Sequence, residues 1–309
     1  MRAEIRLGYT GAKGLEFHHA SAGEEGKPLL VFLHGFPEAW FGWEEQLRRF
    51  GVDYLAVAPD LPGYNLSDKS KDLRGYRGGV IVDDLSALVQ ALGYSRCHLV
   101  GHDWGGALAY AWAITRPEQV QSLFILNAAH PYLFWRELTR NTAQAQHSEY
   151  IHRLRQPIEQ SGITHDNCAF LRDFFYEDGT APSWFDAQMQ ERYLQSWAIP
   201  GALDGALNYY RASLFYPAQG DDPGASKLTL DPKSLTVRVP TTVLWGDRDR
   251  FLLPGCVEGI DEVVPGVRLI RHAQGSHWFA HEFPDVVEHH LREHLNRVGA
   301  PSFDSQSPT

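Results

Sequence analysis

The run Leu99-Val100-Gly101-His102-Asp103-Trp104-Gly105-Gly106 constrains this 309-residue chain more than any other. A short apolar strand enters a turn of small residues and leaves as a helical stretch, Ala107 to Thr115. Glycine two residues either side of an acidic residue permits a sharp strand-to-helix elbow, with the Asp103 carboxylate pushed forward at the helix N-terminus. A carboxylate in that position attacks an sp3 carbon by displacement and is left as an alkyl ester, which water must then hydrolyse. Imidazole suits activation of that water near neutral pH, and a second carboxylate should orient it. The expected order along the chain is therefore nucleophilic Asp, supporting acid, then His.

Length and composition allow one large core with an inserted subdomain: 43% of residues are hydrophobic. A formal net charge of −10 gives no basic footprint, so neither nucleic acid nor an anionic membrane is an expected partner. Cys97, Cys168 and Cys256 are widely spaced, odd in number and without metal-ligand spacing, which predicts reduced thiols and a cytoplasmic protein. Residues Met1 to Arg6 lack an apolar stretch of signal-peptide length, and no run is long enough to span a bilayer. Oligomeric state is left open by the sequence, which is compatible with a homodimer.

Short apolar runs recur with helical stretches between them: Leu29 to Leu33, Tyr54 to Ala58, His98 to Val100, Ser122 to Leu126, Thr241 to Trp245 and Val267 to Ile270. This alternation predicts a mostly parallel sheet covered by helices on both faces. Ile5 to Leu7 and Leu15 to His19 are expected to add an antiparallel edge. Val80 to Leu92 has helical apolar spacing and stops at Gly93. Between Leu126 and Thr241 aromatics become dense and buried strands disappear, so residues 130–235 are expected to form an inserted helical cap on a core of 1–129 and 236–309. Tyr216 to Ser226 is rich in turn formers and predicts an exposed loop, and Pro301 to Thr309 a disordered tail.

Two further segments supply chemistry. After Thr241 to Trp245 comes Gly246-Asp247-Arg248-Asp249-Arg250, a turn at a strand C-terminus, where open α/β sheets place their sites. Asp249 is read as the acid that orients histidine and Asp247 as a turn former. Gln274-Gly275-Ser276-His277-Trp278 follows the last strand, and among 15 histidines His277 alone combines that position with an upstream acid and an elbow before it. His272 and His281 are neighbours without that placement, and His102 is read as a turn or core residue beneath the elbow. In folds with such an elbow, the backbone N–H after the nucleophile and one from an early loop form an oxyanion hole. Here the donors would be Trp104 and Phe36, the latter in His34-Gly35-Phe36-Pro37-Glu38.

Together with Asp60-Leu61-Pro62-Gly63-Tyr64, these motifs resemble the epoxide hydrolases of the α/β-hydrolase superfamily over nearly the whole chain. The resemblance implies an α/β-hydrolase fold with a mostly parallel eight-stranded sheet, no cofactor and no metal, and a small apolar epoxide and water as reactants. It also implies two cap tyrosines that hydrogen-bond the epoxide oxygen and supply a proton. Gly205-Ala206-Leu207-Asn208-Tyr209-Tyr210-Arg211 looks like the segment carrying one of them, Tyr210, and Tyr150, ahead of Gln156-Pro157, resembles the other. Phe36, Trp104, Tyr150 and Tyr210 would then contact substrate.

Haloalkane and haloacetate dehalogenases share the core motifs and are the alternative. Haloacetate enzymes carry arginine after the nucleophile where this chain has Trp104, and a His-Trp pair where it has Tyr150-Ile151. Both dehalogenase types usually place the acid after the strand that follows the elbow helix, where Asn127 stands here. A ligand-binding protein without turnover is the second alternative. Dense cap aromatics, Phe170, Phe174, Phe175, Tyr176, Trp184, Phe185, Trp197 and Phe215, imply an apolar pocket with most of these rings in the cap's own core.

Overall fold

The computed structural model describes residues 2–299; the expected tail at Pro301 to Thr309 lies outside them. Eight strands form one sheet in the order β1-β2-β4-β3-β5-β6-β7-β8. They are β1 (Ile5–Ala12), β2 (Leu15–Ala22), β3 (Leu29–Leu33), β4 (Leu55–Pro59), β5 (Cys97–His102), β6 (Val120–Leu126), β7 (Thr241–Gly246) and β8 (Arg268–His272). From β4 to β8 every pairing is parallel; β1 and β2 pair antiparallel with each other, and β2 runs antiparallel to β4.

Side-chain alternation along the buried strands divides the core in two. Val31, Leu33, Leu99, Ile125 and Val243 point to one face, beneath α2 (Gly78–Ala91) and α3 (Asp103–Thr115). Leu30, Phe32, Val100, Phe124 and Leu244 point to the other, under α1 (Glu44–Phe50), the short α11 (Phe279–Glu282) and α12 (Pro284–Val298). Helix α2 begins two residues earlier than the periodicity predicts and ends one residue before the expected Leu92, which caps it, with Gly93 in the left-handed region at φ +88°. Helix α3 begins at Asp103 itself, four residues before the apolar pattern becomes helical, because the elbow glycines are already wound into its first turn.

Between β6 and β7 the chain leaves the sheet for seven helices: α4 (Pro131–Arg140), α5 (Thr142–His147), α6 (Tyr150–Leu154), α7 (Ile158–Ser161), α8 (His165–Arg172), α9 (Ala187–Ala198) and α10 (Ala202–Ala212). Phe175, Phe185, Tyr193 and Trp197 stack with one another and with Trp278 of the sheet domain, at centroid separations from 4.4 to 6.4 Å. Hydrogen bonds tie these helices down, among them Trp197 Nε1 donating to the Pro37 carbonyl at 2.7 Å, Tyr209 Oη to Pro62 at 2.9 Å, and Trp278 Nε1 to Phe174 at 2.8 Å. Beside Tyr209, α10 meets the core backbone directly, since a Cβ on Gly205 would lie 2.3 Å from the Gly63 carbonyl oxygen. The Tyr216–Ser226 stretch is exposed at its centre but anchored by buried residues at Tyr216 and Gly224-Ala225.

Candidate active site

The elbow is forced by packing. Asp103 sits at φ +49°, a conformation costing a non-glycine residue on the order of 1–3 kcal/mol, and its surroundings hold it there. Any Cβ at Gly105 would lie 2.1 Å from the Leu33 carbonyl oxygen, and one at Gly35 only 2.4 Å from the Asp103 Cβ. Glycine at these positions lets the loop after β3 press against the nucleophile. That loop is fixed from below: buried His34 accepts a hydrogen bond from Leu61 N at 3.0 Å, and Asp60 accepts one from Trp40 N at 3.0 Å. The Phe36-Pro37 peptide within it is cis.

The loop places Phe36 N 2.7 Å from Asp103 Oδ1, donating to it. Trp104 occupies the first turn of α3, whose N–H groups have no acceptor within the helix. On the other side of the carboxylate, His277 Nε2 stands 3.7 Å from Asp103 Oδ2. The second ring nitrogen, Nδ1, is 2.6 Å from Asp249 Oδ2. The structure thus brings Asp103, Asp249 and His277 into one chain of contacts from three distant segments, while Asp247 pairs with Arg271 at 2.8 Å outside it.

Asp249 is buried and fully engaged. It accepts hydrogen bonds from His277, from Asn127 Nδ2 at 2.9 Å, and from the backbone amides of Phe251 and Leu252 at 2.8 and 2.9 Å. Burial opposes its charge, but the imidazolium and these donors outweigh it and hold its pKa below the ordinary aspartate value. Burial likewise opposes the charge on His277, yet Asp249 and Asp103 on either side raise its pKa to about 10. The resting pair is therefore an imidazolium between two carboxylates.

Facing Asp103 is an apolar cavity of about 630 Å³. Its floor is one stripe of α3, Trp104, Ala107, Leu108 and Ala111, so it extends about 12 Å along the helix from the nucleophile. Tyr150 and Tyr210 form the roof over Asp103. Their rings are 6.4 Å apart, and Tyr210 also meets Phe36 at 5.0 Å and Trp104 at 5.2 Å edge to face. Burial, reinforced by the nearby Asp103 charge, pushes both phenols well above their usual pKa, so each remains an O–H donor at neutral pH. Of the eight aromatics read as implying a pocket, Phe215 lines this cavity, joined by Phe134; rings such as Phe175 and Phe185 are buried away from it, Phe175 against Trp278.

Two side chains with structural roles here escaped the sequence reading. Asn127 bridges Asp249 and the end of β7 before it, accepting from Gly246 N at 2.9 Å. Glu38, buried behind the elbow, accepts from His281 at 2.8 Å, His102 at 3.0 Å and Tyr193 at 3.2 Å, which gives both neighbouring histidines a structural partner. The acidic residue after His34-Gly35-Phe36-Pro37 was the available signal for it. A group of potential metal donors, His289, His290 and Glu293 on α12, lies outside the site, and Arg268 already pairs with Glu293 at 2.8 Å.

Comparison with known proteins shows the family of the chain. A family model for the alpha/beta hydrolase fold matches residues 28–284. Epoxide hydrolase 4 of Mus musculus is 35% identical over 280 residues, covering 89% of this chain and 74% of that protein. The AB hydrolase superfamily protein YfhM of Bacillus subtilis is 33% identical, covering 94% and 98% respectively. Among solved structures, an inhibitor complex of Bacillus megaterium epoxide hydrolase superposes with a TM-score of 0.84 at 34% identity, covering 94% of this chain and all of that one.

Proposed function

The chain belongs to the α/β-hydrolase fold family and to the epoxide hydrolases within it, and from that premise we propose how its residues open an epoxide to a vicinal diol. The observation that carries the reading is a carboxylate nucleophile at the end of an apolar cavity roofed by two protonated phenols. A halide leaves without a proton, whereas an alkoxide needs one, and Tyr150 and Tyr210 are donors suited to the second case. Residues 130–235 act as the cap that brings both phenols over the core.

In the first half-reaction Asp103 attacks a ring carbon while a phenol donates its proton to the departing oxygen. A β-hydroxyalkyl ester and a phenolate result. The imidazolium of His277 then gives its proton up to the phenolate by way of solvent and becomes neutral, since alkylation abolishes one of the two negative charges holding that proton. Neutral His277, kept in orientation by Asp249, then takes a proton from water as the water oxygen bonds to the Asp103 carboxyl carbon. The carboxyl oxygen facing Phe36 N becomes the oxyanion, with Trp104 N as second donor. Collapse releases the diol, whose alkoxide takes the remaining hydroxyl proton, and restores Asp103 and the imidazolium.

Among the described residues no helix is long and apolar enough to cross a membrane. Residence in the cytoplasm is supported by three free thiols, Cys97, Cys168 and Cys256. A homodimer is supported by Leu7 and Tyr9 on edge strand β1, 58% and 54% exposed. Sedimentation tests it.

The functional test is turnover of an aryl epoxide, a haloalkane and a haloacetate side by side, with Asp103→Asn as blank. Diol formation absent from the blank, without halide release, is the expected result. Halide release in place of diol would assign the site to dehalogenation.

A further inference from the structure

A second cavity, about 140 Å³, lies at the seam between the cap turn Tyr176–Asp178 and the Arg248–Arg250 loop. Its character is opposite to that of the first. Asp103 stands in the wall of the apolar cavity, whereas His277 stands in the wall of this one, with Asp178, Arg248, Arg250 and Ser276 around it. Polar groups ring it further: Arg248 pairs with Glu177 at 3.4 Å, and Ser276 donates to Glu282 through both its amide and its hydroxyl. His277, which lines the smaller cavity, has its Nε2 3.7 Å from Oδ2 of Asp103, which lines the larger.

We infer that the smaller cavity is the water chamber for ester hydrolysis, supplying His277 from the side opposite to the substrate. The inference rests on the epoxide-opening reading, and the reason lies in what the alkyl-enzyme leaves free. Once Asp103 is esterified, the alkyl group is fixed in the apolar cavity and excludes water from it in proportion to its size. Walls such as Ala107, Leu108 and Ala111 offer a water no hydrogen bonds, and an ordered water needs two to four polar partners. The chamber beside His277 supplies such partners, and its volume holds several molecules at roughly 30 Å³ each.

A water crossing from the chamber meets the base and the ester carbon at the same boundary. Its oxygen bonds to the Asp103 carboxyl carbon, one proton passes to His277 Nε2, and the bond to the alkoxy oxygen breaks as described above. Substrate entry and water entry are thus separate, and a long substrate that fills the apolar cavity does not starve its own hydrolysis.

The test narrows the chamber mouth with Arg248→Trp and with Arg248→Trp/Arg250→Trp, using Arg248→Ala as the control for the lost ion pair. Rapid-quench mass spectrometry follows formation and decay of the Asp103 adduct with two probes, a bulky aryl glycidyl ether and propylene oxide. Adduct formation at the wild-type rate reports an intact fold. The expected result is adduct decay slowed about tenfold for the bulky probe in at least one Trp variant, less than the roughly 10²–10⁴-fold attached to loss of a general base. With propylene oxide, which leaves room for water in the apolar cavity, and in Arg248→Ala, decay stays at the wild-type rate. Unchanged decay of the bulky adduct in both Trp variants would overturn the inference, as would equal slowing with both probes, the mark of a disturbed His277. Wild-type protein that makes neither adduct nor diol would instead overturn the reading beneath it.

Discussion

Raising the pH should destabilise this protein through His277. The imidazole is held protonated to a pKa of about 10 by two carboxylates, against about 6.5 in an unfolded chain. Between those values the folded state binds a proton that the unfolded state has released, so stability falls as pH rises. The contribution is fully present below about pH 6.5 and is gone once pH passes the folded value of about 10. At about 1.36 kcal/mol per pH unit the window is worth at most about 5 kcal/mol, a large share of a typical 5–15 kcal/mol total. The assay is urea denaturation of wild type and His277→Gln at steps from pH 6 to 10.5. Both proteins share the titrations outside the Asp103–His277–Asp249 cluster, so the difference between their curves reports the protons of that cluster, His277 first among them. Wild type should be the more stable by the largest margin near pH 6.5, with the gap closing steadily toward pH 10. Parallel curves, or a gap that widens with pH, would refute the charge arrangement drawn from the 2.6 and 3.7 Å contacts.

The same variant has a chemical signature. His277→Gln keeps the apolar cavity and the Phe36 contact to Asp103, so it should alkylate normally and accumulate an ester on Asp103, seen by peptide mass spectrometry as the added mass of the epoxide. Fast turnover without adduct would remove His277 from its role. Tyr210→Phe and Tyr150→Phe should each slow epoxide opening by roughly 10²-fold or more while leaving any halide displacement nearly untouched; equal losses on both substrates, measured by single-turnover kinetics, would contradict proton donation. Asn127→Ala removes a charge-assisted donor from Asp249 and an acceptor from the Gly246 amide, costing about 3 kcal/mol of unfolding free energy measured by chemical denaturation. A loss below about 0.5 kcal/mol, the size of an ordinary surface substitution, would show that solvent or backbone replaces both bonds.

Much of this site was legible because its parts announce themselves locally. The inner parallel strands β3 and β4 are continuous apolar runs, since both of their faces are covered, whereas edge strand β8 is not, and the elbow needs glycine at positions fixed by its own close contacts. Asp249 and His277 follow from strand ends, a positional rule that needs no partner to be known. Asn127 was legible only as an absent acid, because its bond to Asp249 spans 122 residues and leaves no local pattern. Glu38 was hidden for the same reason: His102, Tyr193 and His281 converge on it from three separate elements. Dense cap aromatics announce burial but not which rings face a cavity; that depends on how short helices pack, and here α3 alanines and leucine supply most of the floor.

The backbone contact between Gly63 and Gly205 has a consequence for how such an enzyme diversifies. Helix α10, which carries Tyr210, is seated on the core through a joint that contains no side chain, with the Tyr209 to Pro62 bond beside it. The height of the phenol above Asp103 is therefore insulated from drift in the surrounding sequence, while the far wall at Phe134, Leu214 and Phe215 is built only of side chains. Substrate preference can be rewritten at that wall one residue at a time without recalibrating the oxygen clamp, and a library aimed at new epoxides belongs there.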